Sequence, residues 1–179
     1  MPGITQIALA DDALLKTHCI GKHPERWGHY GDCFSVPVDR AVTLSEFVFA
    51  FYTSPAFRIE RWILRVLAGA ASTDEQARDL AEGQQETFAV WTVGARTPTQ
   101  LLMCDRYGKT RSWFRVVPQG QDGTVLQFGS AVAAVRSDIG PIKMSRRFGV
   151  LLGFHRLYSR VLLAAARRRV MAGVARVIA

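Results

Sequence analysis

From Ser145 to Ile178 the chain reads as one long amphipathic helix. At about 100° per residue, Phe148, Leu151, Leu152, His155, Tyr158, Ser159, Leu162, Ala165, Ala166, Val170 and Gly173 fall on one arc. Arg156, Arg160 and Arg167 form a stripe on the opposite side. No proline interrupts the run, so the pattern predicts a single terminal helix whose apolar arc needs a surface to lie on.

Upstream, Gly31 to Val38 has the half-buried β pattern, with Pro37 marking an edge or a strand end. Thr43-Leu44-Ser45-Glu46 is a capping box that starts a helix through Tyr52. Ser54-Pro55 ends that helix and starts another, on which Ile59, Trp62, Ile63, Val66 and Leu67 share a face and Gly69 suits the stop. A third helix, Thr73 to Glu82, is charged nearly all round and reads as a surface connector. From Thr87 the period becomes two. Thr87 to Val93, Leu101 to Tyr107, Thr110 to Val117 and Thr124 to Arg136 read as four consecutive strands, bringing the total to five. The turns at Tyr107-Gly108-Lys109 and Gln119 to Gly123 are short, which demands antiparallel pairing.

The pattern implies an α+β fold: a curved antiparallel sheet packed on a long C-terminal helix, with two to three helices between the first and second strands. Residues 1–28 are an irregular N-terminal segment, and 29–179 form a single domain. This order, with the stretches His29-Tyr30-Gly31-Asp32-Cys33-Phe34 and Phe154-His155-Arg156-Leu157-Tyr158, resembles the START-like helix-grip (SRPBCC) superfamily. More narrowly, it resembles a bacterial domain family also found fused behind NmrA-type epimerase-like domains. The resemblance implies a helix-grip fold in which the space between sheet and C-terminal helix holds an apolar ligand.

Charge changes the picture at one end only. From Ile139 onward there are nine lysines and arginines and no acid, leaving 14 bases against 15 acids before it. An anionic surface, lipid or nucleic acid, would therefore meet Arg156, Arg160 and Arg167, with Lys143, Arg146 and Arg168 extending the ridge. A solvated helix face is the alternative, since arginine outnumbers lysine 19 to 4. The N-terminus lacks a signal-peptide pattern, no run is long enough to span a bilayer, and the three cysteines are an odd count. The expectation is a cytoplasmic protein without a disulfide framework.

Motifs are sparse. There is no G-x-S-x-G, Gly-rich phosphate loop, H-E-x-x-H or C-x-x-C. Cys19, His23, His29 and Cys33 are donors suited to zinc, but their spacing matches no standard finger, and neither a metal nor a cofactor is expected. His155, Tyr158 and Ser159 put polar groups on the apolar arc, where they need partners, water or a ligand. Asp105 has Arg106, Arg111 and Arg115 as candidate partners. Trp91, Met103, Trp113, Phe114 and Phe128 supply apolar surface along the strands. Together with Leu151, His155, Tyr158 and Ser159 they make a candidate lining for a small apolar or amphipathic ligand, bound without catalysis. The alternatives are an enzyme of the polyketide-cyclase or aromatase kind, with His155, Tyr158 or Asp105 moving protons, and the basic-surface module.

Overall fold

The computed structural model describes residues 3–20, 22, 31–133 and 146–175, with side chains of the terminal helix described from Arg156 to Gly173. β1 (Thr5–Gln6) and a π-helical turn (Lys16–Ile20) precede β2 (Gly31–Val38). Three helices follow: α1 (Leu44–Tyr52), α2 (Pro55–Ala68) and α3 (Asp74–Glu82). Then come β3 (Thr87–Phe88), β4 (Trp91–Arg96), β5 (Gln100–Asp105), β6 (Thr110–Gln119) and β7 (Gly123–Val132), and α4 (Arg146–Ala175) closes the chain's described part. The strands form one curved antiparallel sheet in the order β1-β2-β7-β6-β5-β4-β3.

The expected architecture is therefore present, with seven strands where the period-two pattern shows five. β1 is only two residues long, too short to display a period. The run from Thr87 divides at Ala89, whose φ of 52° lies in the left-handed region and separates β3 from β4. Pro37 sits beyond the pairing of β1 with β2, where the strand has a ladder partner on one side only.

The helix starts follow from local chemistry. Thr43 Oγ1 accepts from the Glu46 amide at 3.1 Å while Glu46 Oε2 accepts from the Thr43 amide at 2.8 Å. Ser54 caps α2 with Pro55 behind it, and Gly69 ends it at φ 62°. Thr73 and Gln76 form a second reciprocal box on α3.

α4, α1 and α3 lie side by side on one face of the sheet. α4 packs on β2 and β7, α1 between α4 and α3 and over β6, and α3 beyond it. α3 is thus not a surface connector: Ala77, Leu80 and Ala81 are buried. Its charges occupy one side and its small apolar residues the other. α4 buries Ser159, Leu162, Leu163, Ala166 and Val170. Leu163, outside the arc read from periodicity, is buried because α1 covers that flank as well as the sheet. On α2 the stripe Ile59, Trp62, Ile63 and Val66 does share a face, but that face points to solvent.

The opposite face of the sheet is also covered. Ala13, Leu14, Leu15 and Cys19 pack there against Cys33, Leu102, Trp113 and Ala131. One side chain seats this N-terminal segment. Gln100 Oε1 accepts from the Leu14 amide at 3.0 Å and from Trp113 Nε1 at 2.9 Å, and its Nε2 donates to Asp12 O at 3.3 Å. Arg115 adds two bonds to the Asp12 carboxylate, at 2.8 and 3.0 Å. Gly129 leaves room for the Trp113 ring in this layer, because a Cβ there would stand 3.0 Å from Trp113 Cε3 and 3.1 Å from Asp32 O.

Gln100→Ala should therefore cost about 1–3 kcal/mol for each donor left buried without an acceptor. Urea unfolding measures the loss, and amide exchange at Leu14 should accelerate. Gln100→Glu should not recover it at neutral pH, because a buried carboxylate would face the Asp12 carbonyl to which Gln100 Nε2 donates.

Candidate functional site

Cross-strand register arranges the helix-side face of the sheet in rows. Val36, Leu126 and Val116 form one, and Phe34, Phe128, Phe114 and Leu101 the next. Side chains on one face recur every second residue, so the following row is Asp32, Ser130, Ser112, Met103 and Val93. Beyond it lie Val132 and Thr110, and Asp105 opposite Trp91. The face thus turns from aromatic to polar within one step along the strands.

The two parts are covered differently. The aromatic row is filled from above by α1, with the Phe51 ring 4.8 Å from both Phe114 and Phe128, and Phe47 5.7 Å from Phe114. In the polar row Asp32 and Ser130 are buried, and Ser130 Oγ donates to Asp32 Oδ1 at 2.6 Å. Ser112, Thr110, Asp105 and Trp91 are only half-buried, leaving a polar shelf at this end of the sheet. The Trp91 ring stands 5.7 Å from Phe57 at the start of α2, which places α2 at the shelf's edge.

α2 and α4 are joined by a carboxyl–phenol pair: the Tyr158 hydroxyl donates to Glu60 Oε2. Burial raises the Glu60 pKa above the ordinary carboxylate range, although the Tyr158 hydrogen bond opposes the shift. Burial also raises Tyr158, and the nearby Glu60 charge adds to it. Glu60 has no signal in the sequence that marks it; its partner lies 98 residues away.

The sequence-derived set is distributed as follows. Met103, Phe114 and Phe128 are on the helix side, the last two within the aromatic packing, and Trp91 is at the shelf. Trp113 points to the other face, into the N-terminal layer, because it alternates with Phe114. Ser159 is buried and Tyr158 half-buried on α4. The side chains of Leu151 and His155, and that of Leu67 on α2, lie outside those described. Asp105 accepts from the Lys109 amide at 2.9 Å and from the Thr110 amide and hydroxyl at 2.8 Å, holding the β5–β6 turn.

Of the possible zinc donors, Cys19 and Cys33 are on the far face, where burial pushes the Cys33 thiol up to about 12. His23 and His29 lie outside the described residues. Along the basic stripe, Arg156 and Arg160 are exposed, whereas Arg167 is half-buried and donates to Pro37 O at 3.2 Å. Lys143 lies outside the described residues. Asp74 binds Arg58 and Arg61 of α2. A surface hollow of about 670 Å³ between α1, α3 and the β4–β5 turn is lined by none of the candidate ligand-lining residues read from sequence. Its Arg96 donates to the carbonyls of Leu80 and Ala81.

In comparisons with known proteins, no family model matches the chain and no curated protein does. Among solved structures, the crystal structure of CalU16 from Micromonospora echinospora matches at 15% identity and a TM-score of 0.29, over 83% of this chain and 88% of that one. At that score the likeness carries no argument, and the architecture rests on the strand order itself. Among the described residues no helix is long and apolar enough to cross a membrane.

The Glu60 carboxyl makes a pH prediction. Its folded pKa is raised, so the folded state holds the proton more tightly than the unfolded chain. The stability it contributes is complete below the ordinary carboxylate range and is lost as pH rises through the folded value. Melting temperatures of the wild type and Glu60→Gln across that window should converge at the acid end and separate toward neutrality, with the variant the more stable there.

Proposed function

We propose that the protein holds a small amphipathic ligand at the polar shelf, at the end of the sheet that the start of α2 borders. The observation that carries this reading is the change along the helix-side face from the packed row Phe34, Phe128 and Phe114 to the row Asp32, Ser130 and Ser112, in which Ser112 is only half-buried. A ligand's apolar body would lie on Val93 and Trp91, which are only half-buried, and its hydroxyl or carbonyl would meet Ser112. Such a mix of apolar wall and few polar groups is what small-molecule sites use. The reading accords with the ligand expected from the helix-grip resemblance, while moving it from the centre of the sheet to one end.

A second reading, acid–base catalysis on the same shelf, draws on the raised Glu60 carboxyl beside Tyr158. Under it, Glu60→Gln would abolish turnover of a bound compound and leave its binding intact.

A thermal-shift screen of fatty acids and polycyclic phenols, with native mass spectrometry of the purified protein, tests the binding reading. A compound at 100-fold its Kd contributes about 2.7 kcal/mol, a rise in Tm of about 5–10 °C for a chain of this size. Ser112→Trp, which fills the shelf, should remove the shift while the unliganded protein stays folded. Absence of both a co-purifying molecule and any shift would refute the proposal.

A further inference from the structure

We propose that α2 docks on an anionic lipid surface through its outward face, independently of what the shelf binds. Ile59, Trp62, Ile63 and Val66 stand at i, i+3, i+4 and i+7, so they form one continuous stripe, and they are 42–65% exposed. Among the helix's described side chains only Phe57 is buried. What holds the helix in place is polar. Glu60 takes the Tyr158 hydroxyl, Arg61 donates to Ser72 Oγ at 3.0 Å, and Arg58 and Arg61 both reach Asp74. These bonds fix the helix with its polar side inward and its apolar side out. A contiguous outward stripe of this kind marks an interaction surface rather than a scattering of surface side chains.

Charge selects the occupant. Arg65 is exposed on one flank of the stripe, the same flank as Arg58, which is paired with Asp74. The one acid of α2, Glu60, is turned to α4 and bound there. α4, the neighbour of α2, exposes Leu157 and Arg160 and belongs to the segment from Ile139 onward that holds nine bases and no acid. A second copy of the chain, at a net charge of +8, would bring like charges together. A bilayer bearing anionic headgroups satisfies both features: apolar side chains with a tryptophan enter the interfacial region while arginines meet phosphates. The helix lies in the interface plane and does not span it.

Co-sedimentation of the full chain with phosphatidylcholine vesicles, with and without phosphatidylglycerol, tests this. Binding is expected to the anionic vesicles. Added salt should weaken it without eliminating it, because the apolar contribution persists. Ile63→Ser with Val66→Ser, which leaves charge unchanged, should lower vesicle affinity by about tenfold or more. Because both side chains are exposed, its circular dichroism and Tm should match the wild type. Failure to bind anionic vesicles, or equal binding by the double variant, would overturn the proposal. So would light scattering that shows a dimer which the double variant converts to a monomer, since the stripe would then be covered by a second copy.

Discussion

Phe51 sits where α1, the start of α2 and the centre of the sheet converge. Its ring is 4.8 Å from Phe114 and Phe128, 5.6 Å from Phe57 and 6.4 Å from Phe47. Each edge-on or tilted aromatic pair contributes about 0.5–1.5 kcal/mol beyond area burial, so the cluster exceeds any single polar contact in the molecule. Its geometric consequence is larger still. With α1 wedged over β6, α4 is confined to β2 and β7, and the sheet's centre is closed by side chains. One step further along β6, at the next helix-side position, Ser112 stands where Phe114 stood in the packed row.

The second constraint is that the sheet is covered on both faces. A half-exposed strand alternates apolar and polar residues, whereas one buried on both sides does not. β5 buries Gln100, Leu101, Leu102 and Met103 in succession, and Trp113 and Phe114 are adjacent yet buried in opposite layers. Period two identifies such segments as strands, but their inward face is ambiguous until the N-terminal layer is known. That layer announces itself poorly: β1 has two residues, and its anchoring depends on Gln100 from a strand more than eighty residues on.

Legibility thus followed the range of the interaction. Thr43 with Glu46, Ser54 with Pro55, and Gly69 act within one turn of chain, and each does what its local chemistry predicts. Element order and the long terminal helix were legible for the same reason. The shelf needed register: Asp32, Ser130 and Ser112 meet only when β2, β7 and β6 align. Ser112, two residues before Phe114, carried a usable signal, since alternation puts both on one face. Glu60 carried none. On α2 its position is flanked by an apolar stripe that periodicity places on one face, and only its partner on α4 reveals which side of the helix turns inward.

That inversion ties the shelf to the outer surface. Were Ile59, Trp62, Ile63 and Val66 packed on the sheet, Glu60 and Arg61 would face water and α2 would need none of its polar bonds. Instead Arg61, Ser72 and Asp74 hold it from the α3 side and Tyr158 from the α4 side. Phe57, the one buried apolar side chain among those described on α2, sits at the end nearest Trp91. A helix secured by polar bonds along its length and by a single ring at one end borders the shelf with one side and presents its apolar stripe with the other.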